Sequence, residues 1–176
     1  MSTIEELLKG GDPRALKGVT YVVDVVLHDP AQGAALVGAM AHDDPVVRMR
    51  AGGAAEKISR THAEILEPHK AGLLQTAAMT EQPSLRWHLA QLIPRLALDP
   101  AERRGSIAVF KRYLNDPSAI VKTCAMQALA DIARNDAALR RSVLPLLKGA
   151  TATGTAAMRV RGERLLDVLQ HRKRRA

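Results

Sequence analysis

Apolar residues return along this chain at helical spacing, and the helices themselves return at a fixed interval. In DDPVVRMRAGGAAEKIS (43–59) an Asp-Pro pair opens a run whose Val47, Ala51 and Ile58 fall on one helix face, the i, i+4, i+11 set. The same set recurs at Leu85, Leu89 and Leu96, at Val121, Ala125 and Ile132, and at Met158, Gly162 and Leu169. The anchors Val47, Leu85, Val121 and Met158 lie 38, 36 and 37 residues apart, and a basic residue follows each: Arg48, Arg86, Lys122 and Arg159. A preceding helix is expected in the runs GAALVGAM, KAGLLQTA, GSIAVFKRYL and SVLPLLKG, with Val37, Leu74, Phe110 and Leu147 as its recurring apolar position. Asp29-Pro30, Asp44-Pro45, Asp99-Pro100 and Asp116-Pro117 each read as an N-cap followed by proline at the first helical position. Thr3 and Glu6 read as a capping box that opens a shorter first unit, with a further helix start at Asp12-Pro13.

The unit is therefore helix, short turn, helix, repeated about every 37 residues. One such hairpin cannot bury its apolar face alone, whereas stacked neighbours can, so the pattern predicts an all-α solenoid. Composition agrees. Aromatic residues are 2% of the chain (Tyr21, Trp87, Phe110 and Tyr113), too few for the pleated surfaces of a sandwich or barrel. The apolar 47% is mostly Ala, Leu, Val and Ile, which suits close-packed helices. A length of 176 residues suits one domain, expected over 1–170, with HRKRRA (171–176) as a basic tail.

The order Asp-Pro, Val, Arg, Ala in DDPVVRMRAGGAAEKI resembles the HEAT repeat of the armadillo-like α-solenoids, and the likeness runs through about five units. The third unit departs with Gln82-Pro83, the fourth inserts residues between Pro117 and Val121, and the fifth has no Asp-Pro. The resemblance implies a right-handed α–α superhelix in which the second helix of each hairpin lines the concave surface. It also implies that the repeated basic residue ties to a turn aspartate, with Asp44 and Asp116 as partners.

With Val47, Ala51, Ala54 and Ile58 buried, helical phase turns Met49, Gly53, Glu56 and Arg60 outward. The matching rows are Trp87, Gln91, Pro94 and Leu98; Thr123, Gln127, Ala130 and Arg134; and Val160, Arg164, Asp167 and His171. Arg50, His88, Cys124 and Arg161 flank the stripe. Trp87, the only tryptophan, is a candidate contact anchor, because a large rigid ring gains area at little entropic cost; the alternative is packing against a neighbouring hairpin. Pro94 is expected to kink its helix by clashing with the Ala90 carbonyl. The expected partner-contacting residues are Met49, Arg50, Trp87, His88, Gln91, Gln127, Arg134, Arg161 and Arg164.

Formal net charge is +8, and from Arg159 onward seven basic residues stand against two acidic ones, so most of the excess sits at one end. That end suits phosphate or carboxylate contacts, or a solvated cap on the last repeat. Little else points to chemistry. Gly10-Gly11 and Gly52-Gly53 lack the context of a phosphate loop, although two glycines inside a helix suggest close approach of another backbone or a ligand. The six histidines form no HExxH, and the lone Cys124 gives neither a disulfide framework nor a structural zinc set and reads as an inert, mostly buried thiol. His62, Glu64, Glu67 and His69 read as a surface cluster. Trp87 and the arginines are faintly similar to the groove of HEAT-like DNA glycosylases, but one turn after Trp87 stands Gln91 rather than an acid, and stacking aromatics are missing. No apolar run approaches the ~20 residues of a membrane span, and the start is not a signal peptide, so a cytoplasmic setting is expected. The expectation is a non-catalytic module without metal or cofactor that grips a protein segment, with Arg161 and Arg164 steering acidic partners. The alternative is sequence-independent nucleic-acid binding by the last helix and tail.

Overall fold

Short polar side chains start most of the helices. In the computed structural model, which describes residues 3–10 and 17–171, the Thr3 hydroxyl accepts from the Glu6 N–H at 3.2 Å and the Glu6 carboxylate accepts from the Thr3 N–H at 2.8 Å. This capping box opens α1 (Ile4–Leu8). Asp44 caps α4 (Pro45–Ser59) through the Val46 N–H at 2.8 Å. Asp99 caps α7 (Pro100–Tyr113) through Ala101 and Glu102, at 2.7 and 2.8 Å, with Glu102 closing a second box. Asp29 caps a 3₁₀ turn (Pro30–Gln32) that leads into α3 (Gly33–Gly38). Asp116 differs from expectation. Its carboxylate accepts from the Ser118 N–H at 2.8 Å, an Asx turn that hands the N-cap of α8 (Ala119–Ala133) to Ser118. Asp136, with no proline after it, caps α9 (Ala137–Thr153). The Asp12-Pro13 start lies outside the described residues.

The chain divides into two compact units, Met1–Ala97 and Leu98–Ala176. In the first, α4 packs between α2 (Lys17–His28) and α6 (Pro83–Leu92), while α3 and α5 (Lys70–Met79) precede them as first helices. In the second, α8 packs on α7, α9 and α10 (Ala156–His171), and α10 also packs on α9. No strand occurs among the described residues. Of the tail expected over 171–176, His171 closes α10 and the rest lies outside the described residues.

Every second-helix anchor is buried: Val47, Leu85, Val121 and Met158, followed by Ala51, Leu89, Ala125 and Gly162. The first helices need a correction of one residue. The recurring buried side chains are Leu36, Leu73, Phe110 and Leu147, each 0% exposed and each 37 residues from the next, while Val37 and Leu74 are only half-buried. Both members of Leu36-Val37 and Leu73-Leu74 are apolar, so period alone does not choose between them. Full burial of each such side chain contributes about 1.5–3 kcal/mol.

Two further expectations change. Pro94 does not kink a continuing helix: α6 stops at Leu92, Ile93–Arg95 form a 3₁₀ turn, and Leu96 is extended. Proline can donate nothing to the Ala90 carbonyl and its ring clashes there, so the chain leaves the helix. At Arg48 the expected tie to Asp44 is replaced; there, and at Arg86 and Arg159, the repeated basic residue bonds to backbone carbonyls of the turn before its helix. Arg48 donates to His42 and Asp43 O (2.8 and 2.9 Å) and to Gln82 Oε1 (2.7 Å), Arg86 to Thr80 O (2.8 Å), and Arg159 to Gly154 O (3.2 Å). Asp44, the expected partner of Arg48, caps its own helix instead.

At Gly162 α10 packs tightly on α8 and α9: a Cβ there would overlap Thr151 and approach Met126 Cε to 2.8 Å. A Cβ at Gly105, in α7, meets nothing within 4 Å. Gly162→Ala is therefore expected to destabilise the chain by about 1–3 kcal/mol through overpacking. Gly105→Ala is expected to stabilise it by about 0.5–1 kcal/mol through helix propensity. Urea denaturation of both variants checks the opposite signs.

Candidate partner-binding site

In the first unit the candidate residues lie where α6 presses on α4. A Cβ on Gly52 would stand 2.6 Å from Leu85 Cδ1, and one on Gly53 would stand 3.4 Å from the His88 ring. The glycine pair thus admits two side chains of α6, neither a foreign backbone nor a ligand. His88 is largely enclosed, and burial lowers its pKa to about 4; Glu56 pulls the other way, while Arg60 and Lys57 add to the lowering. Its Nδ1 is buried without a hydrogen-bond partner. The Trp87 ring leans on it at a centroid distance of 4.7 Å. Trp87 is half-buried, and its indole N–H is out of solvent with no acceptor, so the ring is not the open outward anchor its phase suggests. Met49 is half-buried, and Gln91 is half-buried with its amide donating to Trp87 O at 3.2 Å.

Arg50 requires a plain correction. It is buried, and its Nη1 donates to Leu8 O at 2.8 Å and Gly10 O at 2.6 Å, a cationic cap on the end of α1. Gly10 takes φ 71°, a left-handed turn that glycine adopts without strain. Glu56, placed outward by phase, is also buried. Both its oxygens are held by Arg60 at 3.0 and 2.8 Å, and Arg95 adds a bond at 2.8 Å while also donating to Ser59 Oγ at 2.8 Å. Burial pushes the Glu56 carboxyl up, but the bonds and charges of Arg60 and Arg95 outweigh it and leave the pKa below the ordinary value. Arg60 signals this pair at i+4; Arg95, 39 residues on, leaves no local signal.

In the second unit four candidate residues converge. Gln127, Arg134, Arg161 and Arg164 line one trough of about 300 Å³ between α8 and α10, floored by Ala130, Leu165, Val168 and Leu169. Arg161 Nη1 donates to Gln127 Oε1 at 2.7 Å, and Gln127 Nε2 donates to Asp131 Oδ2 at 3.0 Å. Asp131 Oδ1 accepts from Arg134 at 2.8 Å. Arg164 is exposed, with no hydrogen bond or ion pair to the described residues.

The fold is that of a helical-repeat α-solenoid. An engineered protein solved by the Northeast Structural Genomics Consortium matches 96% of this chain over 80% of its own, with a TM-score of 0.68 and 17% identity. A second engineered protein from the same consortium matches 96% over 78%, at 0.69 and 15%. A designed armadillo repeat protein, in complex with peptide (KR)4, matches 94% over 72%, at 0.64 and 13%. No protein-family model matches the sequence, and no curated protein does.

Other features stand apart from the trough. Among the described residues, no group of three or more His, Cys, Asp and Glu side chains is placed to hold a metal ion. Glu67, from the His62–His69 cluster, accepts from the Ala97 N–H at 2.6 Å. Cys124 is half-buried. No helix among the described residues is long and apolar enough to cross a membrane.

Two stability predictions follow from the α4–α6 contact. Because the folded state holds His88 near 4 against an ordinary 6.5, the unfolded chain binds the extra proton between those values. Stability is whole above pH 6.5 and falls as pH drops toward 4, by about 2 kcal/mol at pH 5. His88→Gln should flatten that loss in urea titrations at pH 7 and pH 5. Glu56→Ala should cost about 1–3 kcal/mol, since it removes the shared acceptor of the Arg60 and Arg95 bonds from a buried position. Arg60→Ala, at a side chain 59% exposed, should cost under about 1 kcal/mol. Equal losses in the two would contradict the assignment of Glu56 as the buried centre.

Proposed function

We propose that this chain is a non-catalytic binding module of the HEAT type that holds a segment of a partner protein. The observation that carries this is the convergence of Gln127, Arg134, Arg161 and Arg164 on one trough with an apolar floor. Packing of α8, α9 and α10 orders these side chains' backbones before any partner arrives, so contact costs little conformational entropy. A structural neighbour of the same fold class was solved with a peptide, which supports a peptide-holding use of such a framework. In the first unit Met49, Trp87 and Gln91 offer a smaller, half-buried contact, while Arg50 and His88 are committed to packing.

The perturbed groups do not argue for catalysis. His88 is shifted because it lies against the glycine pair, and Glu56 is bonded to two arginines; packing accounts for both. Nucleic acid is a weaker fit, because no aromatic side chain lines the trough to stack a base.

Affinity capture from the native host, with and without nuclease, tests the reading. The wild type should recover a defined protein set that survives nuclease and disappears with Arg161→Glu/Arg164→Glu. The same set with that double variant, or a nuclease-sensitive one, contradicts it.

A further inference from the structure

Resting on that reading, we infer that the α8–α10 trough takes an acidic–aliphatic peptide. A Glu or Asp carboxylate seats on Arg164 and Arg161, and a neighbouring aliphatic side chain of the peptide covers Leu165 and Val168. Charge decides the sign of the ligand. Of the three arginines lining the trough, Arg134 is balanced by Asp131, leaving Arg161 and Arg164 with no carboxylate partner among the described residues. They differ in how they are held. Arg161 is fixed by Gln127, which is fixed in turn by Asp131, so its free edge is presented in one orientation. Arg164 lies three residues on, on the same helix face, and its fork is open. A planar fork beside a second, oriented one matches the two oxygens of a carboxylate, and charge-assisted bonds of this kind are the strong ones.

The floor decides what accompanies the carboxylate. Ala130, Leu165, Val168 and Leu169 offer no donor, and Val168 stays 46% exposed, an apolar surface that phosphate or an all-acidic run would leave uncovered. A trough of about 300 Å³ admits one or two side chains rather than a whole helix. The chain's own terminal RKRRA carries the same sign as the trough and is a poor occupant.

Fluorescence anisotropy with labelled synthetic octapeptides of alternating Glu and Leu tests this directly. The Glu–Leu peptide should bind the intact chain, and its Gln–Leu and Lys–Leu counterparts should bind at least about tenfold more weakly. Arg164→Gln should produce a similar loss and Gln127→Ala a smaller one of about threefold, both with unchanged thermal melting. An all-Glu peptide or a single-stranded oligonucleotide that binds as well as Glu–Leu overturns the inference, as does full binding by Arg164→Gln. Self-association of the wild type that is lost in Arg164→Gln overturns it in favour of a second copy as occupant. Glu–Leu binding that is absent while arginine-dependent protein capture succeeds overturns this inference alone; failure of the capture removes the reading beneath it.

Discussion

Burial shared between adjacent helices is the constraint on which everything else in this chain rests. A single helical pair has too little apolar surface to hold itself together, so each second helix is completed by its neighbours. In α4, ten of fifteen residues are buried, and the run Ala51-Gly52-Gly53-Ala54-Ala55 is small enough to let helices approach closely. In the second unit, Gly162 performs the same service where α10 meets α8 and α9.

That constraint assigns different work to one repeat position. Three residues after each anchor stand Arg50, His88, Cys124 and Arg161. Arg50 is buried and caps α1; His88 is half-buried and sits over the glycine pair; Cys124 is half-buried; Arg161 is exposed and reaches Gln127. Six residues after the anchors the series is Gly53, Gln91, Gln127 and Arg164, and it likewise runs from buried to exposed. Where a helix is covered on most sides, charged groups are partnered inside, as Arg50 and Glu56 are, because an unpaired buried charge costs several kcal/mol. Only where one side is left uncovered can the same position face a ligand.

This explains how much was legible in the sequence. The anchors Val47, Leu85, Val121 and Met158, the Asp44 and Asp99 caps and the Thr3–Glu6 box all follow from local patterns, and the structure bears them out. The choice between Leu36 and Val37, the transfer of the α8 cap to Ser118 and the end of α6 at Pro94 depend on phase or on packing beyond one turn. The burial of Glu56 lies beyond any local pattern. Its phase is outward, but α6 and the turn after it close over α4, and Arg95 supplies the balancing charge from 39 residues away. Of the trough residues, Gln127, Arg134 and Arg164 share the outward phase and Arg161 lies on its flank; all four meet in space, whereas Arg50, on the same flank, does not join such a site.

The central claim is that shared burial forms the α8–α10 face before any partner arrives. Residue-resolved amide hydrogen exchange of the free chain measures this directly. The account predicts that the mid-helix amides of α8, α9 and α10 are protected together, with similar opening free energies, and that an added peptide leaves that pattern in place. Amides of α10 that exchange freely while α8 stays protected, and that gain protection only when a peptide is added, would contradict it.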